Sequence, residues 1–269
     1  MSYCQLNFPK AACAEDIFWT EMHCHCLPGV DDGPADLAEA LALCCRMANQ
    51  GIKRVIATPH YSASGVGAPS RGAIIHATAE LNNALNARNI EIEVFIGAEI
   101  RIADDLLDGA TPSRVITLAN AGRHVLLELP DVFINILPLV ETLSAAGIKA
   151  VIAHPERNPS LLSHLPAALH WLQRGATWQV SAGSLLGDFG GLAMRASWEL
   201  LAAGGVTLVA SDAHDLHSRA PQLRRACEAI TRRMGPPLAR RLCLENPFRV
   251  LMGQDVLPAV GLCVPEVQA

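Results

Sequence analysis

Short runs of apolar and β-branched residues recur along this 269-residue chain, and each is followed by a longer Leu/Ala-rich stretch. The runs cover 18–26, 54–60, 92–99, 124–130, 149–156, 176–184 and 206–214. They are apolar at successive positions rather than at alternate ones, as strands of a parallel sheet covered on both faces are. The stretches between them carry helical spacing. Over 36–50, Leu37, Ala40, Leu41, Cys44 and Ala48 repeat at the 3.6-residue period, and Gly51 supplies a stop. Segments 72–88, 136–146, 161–174, 190–203 and 221–233 read alike. Strand–helix alternation through the whole chain predicts a parallel α/β fold. A closed or nearly closed barrel of seven strands is the first choice, and a doubly wound open sheet the second.

The polar positions fall at the ends of these runs: His23 and His25, His60, Glu99, Glu128, His154 and Glu156, Ser181 and Ser184, Asp212 and His214. Taken singly, each has an ordinary reading, a core histidine or a helix N-cap. Taken together they are informative, because parallel strands open all their C-terminal ends onto one rim, where barrel active sites lie. Side chains alternate along a strand, so His23 and His25 share one face while Cys24 and Cys26 pack on the other as small hydrophobes. The turn "LPGVDDGP" carries Asp31 and Asp32 back over the same mouth, unless one of them caps the helix that follows. A rim of imidazoles and carboxylates without thiolates suits Mn, Fe or Zn in mixed N/O coordination. The donors exceed one ion's needs, so two or three ions are expected, an arrangement suited to phosphoester hydrolysis. Arg157 and Arg219 lie just past these runs, and a guanidinium fork matches phosphate oxygens.

Composition narrows the classes. Hydrophobic residues are 51% and charged residues 17%, which points to a large core and hints at self-association. A net charge of −5 offers no basic surface for nucleic acid, and Arg224-Arg225 and Arg240-Arg241 read as solvated helix faces. No apolar run reaches the roughly 18 residues of a membrane span, and the N-terminus lacks a basic stretch before an apolar block, so neither insertion nor a signal peptide is expected. Nine cysteines, odd in number and without a C-x-x-C pair, point to a reducing cytoplasm. A cysteine-dependent phosphatase would need C-x5-R on a phosphate-cradling loop. The two formal matches, Cys227 to Arg233 and Cys243 to Arg249, contain no glycine, and the first falls inside a helical pattern.

The motifs "HCHCLPGVDDGP", "ATPH", "IGAEIRI", "LLELP", "IAHPERN", "VSAGSLLGDFG" and "VASDAHDLHSRAP", in this order from residue 21 to about 250, resemble the PHP superfamily of metal phosphoesterases. They are most similar to its bacterial protein-tyrosine phosphatase branch, associated with capsular and exopolysaccharide synthesis. The resemblance implies a distorted seven-stranded (β/α) barrel over 21–255, after an N-terminal extension (1–20) and before a C-terminal tail (256–269). It also implies a trinuclear, manganese-preferring site. His23, His25, Asp212 and a bridging Glu99 would bind the first ion. Glu128 and His154, again with Glu99, would bind the second. His60, His214 and Asp32, with Asp31 in reserve, would bind the third. Arg157 and Arg219 match the family's phosphate-binding arginines.

The implied activity is hydrolysis of phosphotyrosine by a metal-activated hydroxide. The implied partner is the phosphotyrosine-bearing tail of a membrane-bound polysaccharide tyrosine kinase. A small-molecule phosphatase of the histidinol-phosphate type and a non-catalytic phosphotyrosine binder are the alternatives. This chain departs from the family pattern at Glu21, where an aspartate is usual, and in the Gly/Ser-rich loop after His60. His124, His164, His170 and His217 match no ligand motif.

Overall fold

The computed structural model describes residues 19–62, 68–102, 106 and 115–259. Most of the expected N-terminal extension, part of the loop after His60 and residues 260–269 of the expected tail lie outside the described residues. The strands form two parallel sheets. The smaller holds β1 (Trp19–Cys24), β2 (Ile52–Ala57) and β4 (Glu93–Ile96) in that order. The larger runs β3 (His60–Tyr61), β5 (Glu99–Arg101), β6 (His124–Glu128), β7 (Lys149–Ala153), β8 (Thr177–Ser181), β9 (Val206–Ala210). Neither sheet reverses its strand order, as a doubly wound sheet does at its switch point, so that second choice is set aside.

All seven expected runs contain strand, and two of them break in the middle. Pro59 has no N–H to give to a ladder. The chain therefore leaves the smaller sheet after Ala57 and resumes as β3 in the larger. Its neighbour breaks at Gly97, where a Cβ would lie 2.7 Å from Ile56 Cγ2 and 2.9 Å from the Ala57 carbonyl oxygen. Only glycine allows that approach. The end of β1 also meets the segment after β9. Asp212 N–H donates to the His23 carbonyl (2.9 Å) and His25 N–H to the Ala213 carbonyl (2.9 Å), with a parallel bridge between Cys24 and Ala213. Glu21 braces this junction. Its carboxylate, fully buried, accepts the Ser211 and His23 N–H groups, and burial pushes its pKa up to about 6.

Helices α1 (Leu37–Ala48), α2 (Arg71–Ala87), α3 (Leu137–Ala145), α4 (Pro159–Ser163), α5 (Leu165–Gln173), α7 (Gly190–Ala203) and α8 (Leu223–Met234) occupy the expected intervals, and α6 (Ala182–Leu186) falls where a strand end was expected. Two local differences have clear causes. The stretch 161–174 is two helices, because α5 opens with proline in its first turn. The run 176–184 leaves the strand at Ser181 and turns directly into α6. The N-cap of α1 is Asp36, whose Oδ1 accepts from Ala38 N (2.8 Å) and Glu39 N (3.0 Å). Neither Asp31 nor Asp32 is spent on capping.

The core has two compartments. The larger lies between strands and helices and includes Cys24, Cys26 and Cys44. The smaller gathers Met22, Ile56, Leu126, Val151, Leu208 and Ala210 from five strands. It is completed by Phe248, Val250 and Leu251 of α10 (Asn246–Leu251), which the periodicity did not predict. Buried Asn246 ties α10 in place by donating to the Thr207 and Leu257 carbonyls (2.8 Å each) and accepting Leu257 N–H (2.7 Å).

Candidate metal centre

The strand breaks and strand ends bring the polar residues together. His60 opens β3 and Glu99 opens β5, and the two are direct neighbours in the ladder. Each therefore enters the rim at a kink, where the chain has just changed sheets. His23 and His25 come from the end of β1 on the face opposite Cys24 and Cys26, which pack in the outer core. His154 and Asp212 follow β7 and β9 in left-handed backbone conformation, with φ of +33° and +53°. Such conformations cost about 1–3 kcal/mol each in non-glycine residues and cluster at functional sites. Here they are held by the hydrogen bonds from Asp212 N to His23 O (2.9 Å) and from Arg157 N to His154 O (3.0 Å).

Among the described residues four overlapping groups of donors result, within each of which one ligand atom per residue lies within 4.8 Å of the others. They are His25, Asp32, His60 and His214; His23, His154 and Asp212; His23, His25 and Glu99; and His60, Glu99 and Glu128. Every residue expected as a ligand falls in at least one group. Glu99 Oε1 lies 2.8 Å from His154 Nε2 and 3.5 Å from His23 Nε2, and Oε2 lies 3.3 Å from both His25 Nε2 and His60 Nδ1. Asp212 Oδ1 is 3.3 Å from His23 Nε2 and 3.6 Å from His25 Nε2. Asp32 Oδ1 is 3.2 Å from His214 Nε2 and 3.5 Å from His60 Nε2.

Two residues outside the ligand set fix the imidazoles. Gln179 Oε1 lies 2.7 Å from His23 Nδ1, and a side-chain amide oxygen can only accept, so Nδ1 carries the proton. Asp31 Oδ2, 2.6 Å from His25 Nδ1, acts likewise, and the same aspartate accepts Gly33 N–H and His60 N–H. In the neutral rings both Nε2 atoms are then lone pairs, and they face each other at 3.3 Å. That contact repels unless a cation or a proton lies between. Asp31, the reserve ligand, thus orients His25 and falls in none of these donor groups. Gln179 gave no signal in the sequence, since a glutamine in a buried strand has no motif.

Electrostatics point the same way. Burial pushes Glu99 up, but the neighbouring His23 and His154 charges outweigh it and hold the carboxyl well below the usual range. Asp212 is lowered too, against burial, by His23, His154 and Arg219. Burial opposes charge on His25, yet its bonds to Asp31 and Glu99 raise it to about 10. His214 is pushed down to about 3 by burial and by the His25 charge. Its Nε2 makes no hydrogen bond among the described residues. Ionised carboxylates packed against imidazoles that must shed protons are the donor set a divalent cation requires. The residues therefore fit the binding of divalent cations.

Arg157 Nη1 donates to Asp212 Oδ2 (2.5 Å), and Arg219 Nη2 bridges both Asp212 oxygens (2.9 and 2.8 Å). Arg219 Nη1 also reaches Asp32 Oδ2 at 3.4 Å. Both arginines therefore border the donor cluster. Glu156 is diverted into structure, its buried carboxylate accepting the Ser181 backbone N–H at 3.0 Å. The cysteine alternative finds no support: Cys227 lies inside α8 and Cys243 is completely buried.

Residues 19–252 match the family described as capsular polysaccharide synthesis, CpsB/CapC, and the chain belongs to that family. Among its relatives is the tyrosine-protein phosphatase YwqE of Bacillus subtilis, 32% identical over 240 residues that span 88% of this chain and 92% of the relative. Another is the tyrosine-protein phosphatase CpsB of Streptococcus pneumoniae, 28% identical, spanning 87% and 98%. A crystal structure from work on YwqE and CpsB, described as metal-dependent tyrosine phosphatases, superimposes with a TM-score of 0.81 at 30% identity, covering 89% of this chain and 96% of that one. A lactonase from Listeria monocytogenes, at TM-score 0.56 and 14% identity, shares the fold alone.

Proposed function

We propose that this protein is a metal-dependent phosphatase that removes phosphate from phosphotyrosine on protein. The substrate that fits its family is the tail of the tyrosine kinase governing capsular or exopolysaccharide synthesis, met at the cytoplasmic side. The observation that carries the reading is the convergence of residues 23 to 219 on one cluster, with His23 within 3.5 Å of both Glu99 and Asp212 and His154 2.8 Å from Glu99. Among the described residues no helix is long and apolar enough to cross a membrane. We read the nine strands as seven, two of them broken, in a distorted barrel closed where β1 meets the segment after β9.

His23, His25, Glu99 and Asp212 would hold one ion, Glu99, Glu128 and His154 a second, and His60, His214 and Asp32 a third, with manganese the preferred metal. Bound ions supply Lewis acidity, lowering the pKa of water and offsetting charge on the phosphoryl group. Arg157 and Arg219 meet the phosphoryl oxygens through forked N–H groups. Gln179 and Asp31 keep the protons of His23 and His25 on Nδ1. A phenolate leaves with a conjugate pKa near about 10, so aryl esters need little acid assistance.

The test is metal analysis of the purified protein, together with release of phosphate from a phosphotyrosyl peptide in Mn, Zn, Mg and EDTA, beside histidinol phosphate. Metal-dependent turnover favouring the peptide is expected. Peptide binding without phosphate release, or a preference for histidinol phosphate, would overturn the assignment.

A further inference from the structure

We propose that Phe189 and Leu192, at the start of α7, form the subsite for the aryl group of the substrate. The proposal deepens the phosphatase reading and rests on it for the position of the phosphate. Arg157 is the link. One edge of its guanidinium bonds Asp212, and its face lies on the Phe189 ring, 4.3 Å from the centroid. A single planar group thus separates the donor cluster from an aromatic surface. The ring is seated deliberately. A Cβ on Gly183 would fall 2.9 Å from Phe189 Cε2, so the glycine lets the ring pack down against α6.

A phosphate held by Arg157 must direct its ester substituent away from the buried imidazoles. Two described cavities border Arg157. The one of about 90 Å³ is lined by Glu128 and His154, assigned above to a metal ion, and by Asp131, so it is polar and belongs to the metal centre rather than to the aryl group. The other, about 490 Å³, has an apolar wall of Phe189, Leu162, Leu192 and Ala193, beside the buried carboxylate of Glu156. Leu192 is 80% exposed, the most exposed large apolar side chain among the described residues. A phenyl ring entering there meets an aromatic face and an aliphatic side chain, contacts that favour aryl over alkyl esters. The cavity continues to Arg195 and Glu199, leaving room for the peptide backbone that bears the ring.

Binding of phenylphosphonate and methylphosphonate, measured by calorimetry on the metal-loaded protein, tests this without requiring turnover. Wild type should prefer the phenyl ligand, and Leu192→Ser and Phe189→Ala should each cut that preference about tenfold, the scale of one apolar pocket contact. Phe189→Tyr should restore it. Ile75→Ser, at an exposed apolar position on α2, is the control and should leave it unchanged. Equal weakening of both ligands in Phe189→Ala would mean that the ring only braces Arg157. That result, or a wild type with no phenyl preference, would overturn the subsite. A phenyl preference without hydrolysis of any phosphomonoester would instead sink the phosphatase reading and leave the subsite standing.

Discussion

At their C-terminal ends the parallel strands carry imidazoles, carboxylates and two residues in left-handed conformation, His154 and Asp212. At their N-terminal ends the same strands rest on a plug of Phe248, Val250 and Leu251, tied by Asn246 to the Thr207 carbonyl near the start of β9. One end is built from groups that repel or compete until something binds them. The other is built from apolar contact and the hydrogen bonds of Asn246. The contrast shows how one sheet divides its labour. Strain and crowded charge at the rim are tolerated because the opposite end supplies stability that does not depend on any ligand. Substitutions at the two ends should therefore separate turnover from folding.

The largest effect belongs at the rim. Asp212→Asn removes the charge shared by His23, Arg157 and Arg219. It should cut phosphotyrosyl-peptide turnover by about 1,000-fold or more, the scale on which removing a group central to charge stabilisation acts. His154→Ala should do the same. Thermal unfolding of both metal-free variants should stay close to wild type, since the plug is untouched; full activity in either would refute the ligand assignment. Asn246→Ala is the mirror experiment. It leaves the Leu257 N–H and the Thr207 and Leu257 carbonyls without this partner, at a cost of about 2–4 kcal/mol. Chemical denaturation should register that loss while kcat of the folded fraction is unchanged. A fall in kcat would show that the two ends are coupled.

The rim was readable in the sequence because alternation and strand polarity are local rules. Once 18–26 is a strand, His23 and His25 must share a face, and the same rule places the cysteines in the core. The breaks at Pro59 and Gly97 were visible as residues but not as events. Nothing local says that a chain will resume in a second sheet, and the split of seven runs into nine strands depends on the close approach of Gly97 to Ile56 and Ala57. The plug escaped because α9 (Pro236–Arg240), the π-turn Arg241–Glu245 and α10 are short and interrupted by prolines, with too few turns to show a period. Gln179 and Phe189 were unreadable for another reason. Their roles exist only through the side chains they touch, His23 and Arg157, which lie 156 and 32 positions away in the chain. The aspartate pair divided its roles by geometry as well, Asp31 turning to His25 and Asp32 to His214.

The N-terminal end also holds a buried titratable group, His124. Its ring, without a hydrogen-bond partner among the described residues, borders a cavity of about 280 Å³ with Lys149 and Asp255. Burial, helped by the Arg123 and Lys149 charges, pushes its pKa from 6.5 down to about 4. The unfolded chain therefore takes up a proton near 6.5 and the folded chain only near 4. Stability is complete above 6.5 and is lost as pH falls toward 4, by about 3 kcal/mol at most. His124→Phe should flatten the acid limb of the stability curve relative to wild type. Parallel curves for the two proteins would remove His124 as the cause.

The smallest effect returns to the rim and asks how much of its design lies outside the ligands. Asp31→Asn keeps an acceptor for His25 Nδ1 but loses the charge, and Gln179→Leu removes the acceptor for His23 Nδ1 altogether. Groups that fix the tautomer of a metal-binding histidine typically change metal affinity about 10- to 100-fold. Titration of the metal-free variants with Mn should show weakened binding of that order, with turnover recovering at saturating metal. Gln179→Leu should be the more severe, because its ring can then flip its proton to the nitrogen that faces Glu99 and Asp212, whereas the asparagine still restrains His25. Unchanged metal affinity together with a lower kcat would contradict this, since it would place Asp31 and Gln179 in the chemistry itself rather than behind the histidines that bind the ions.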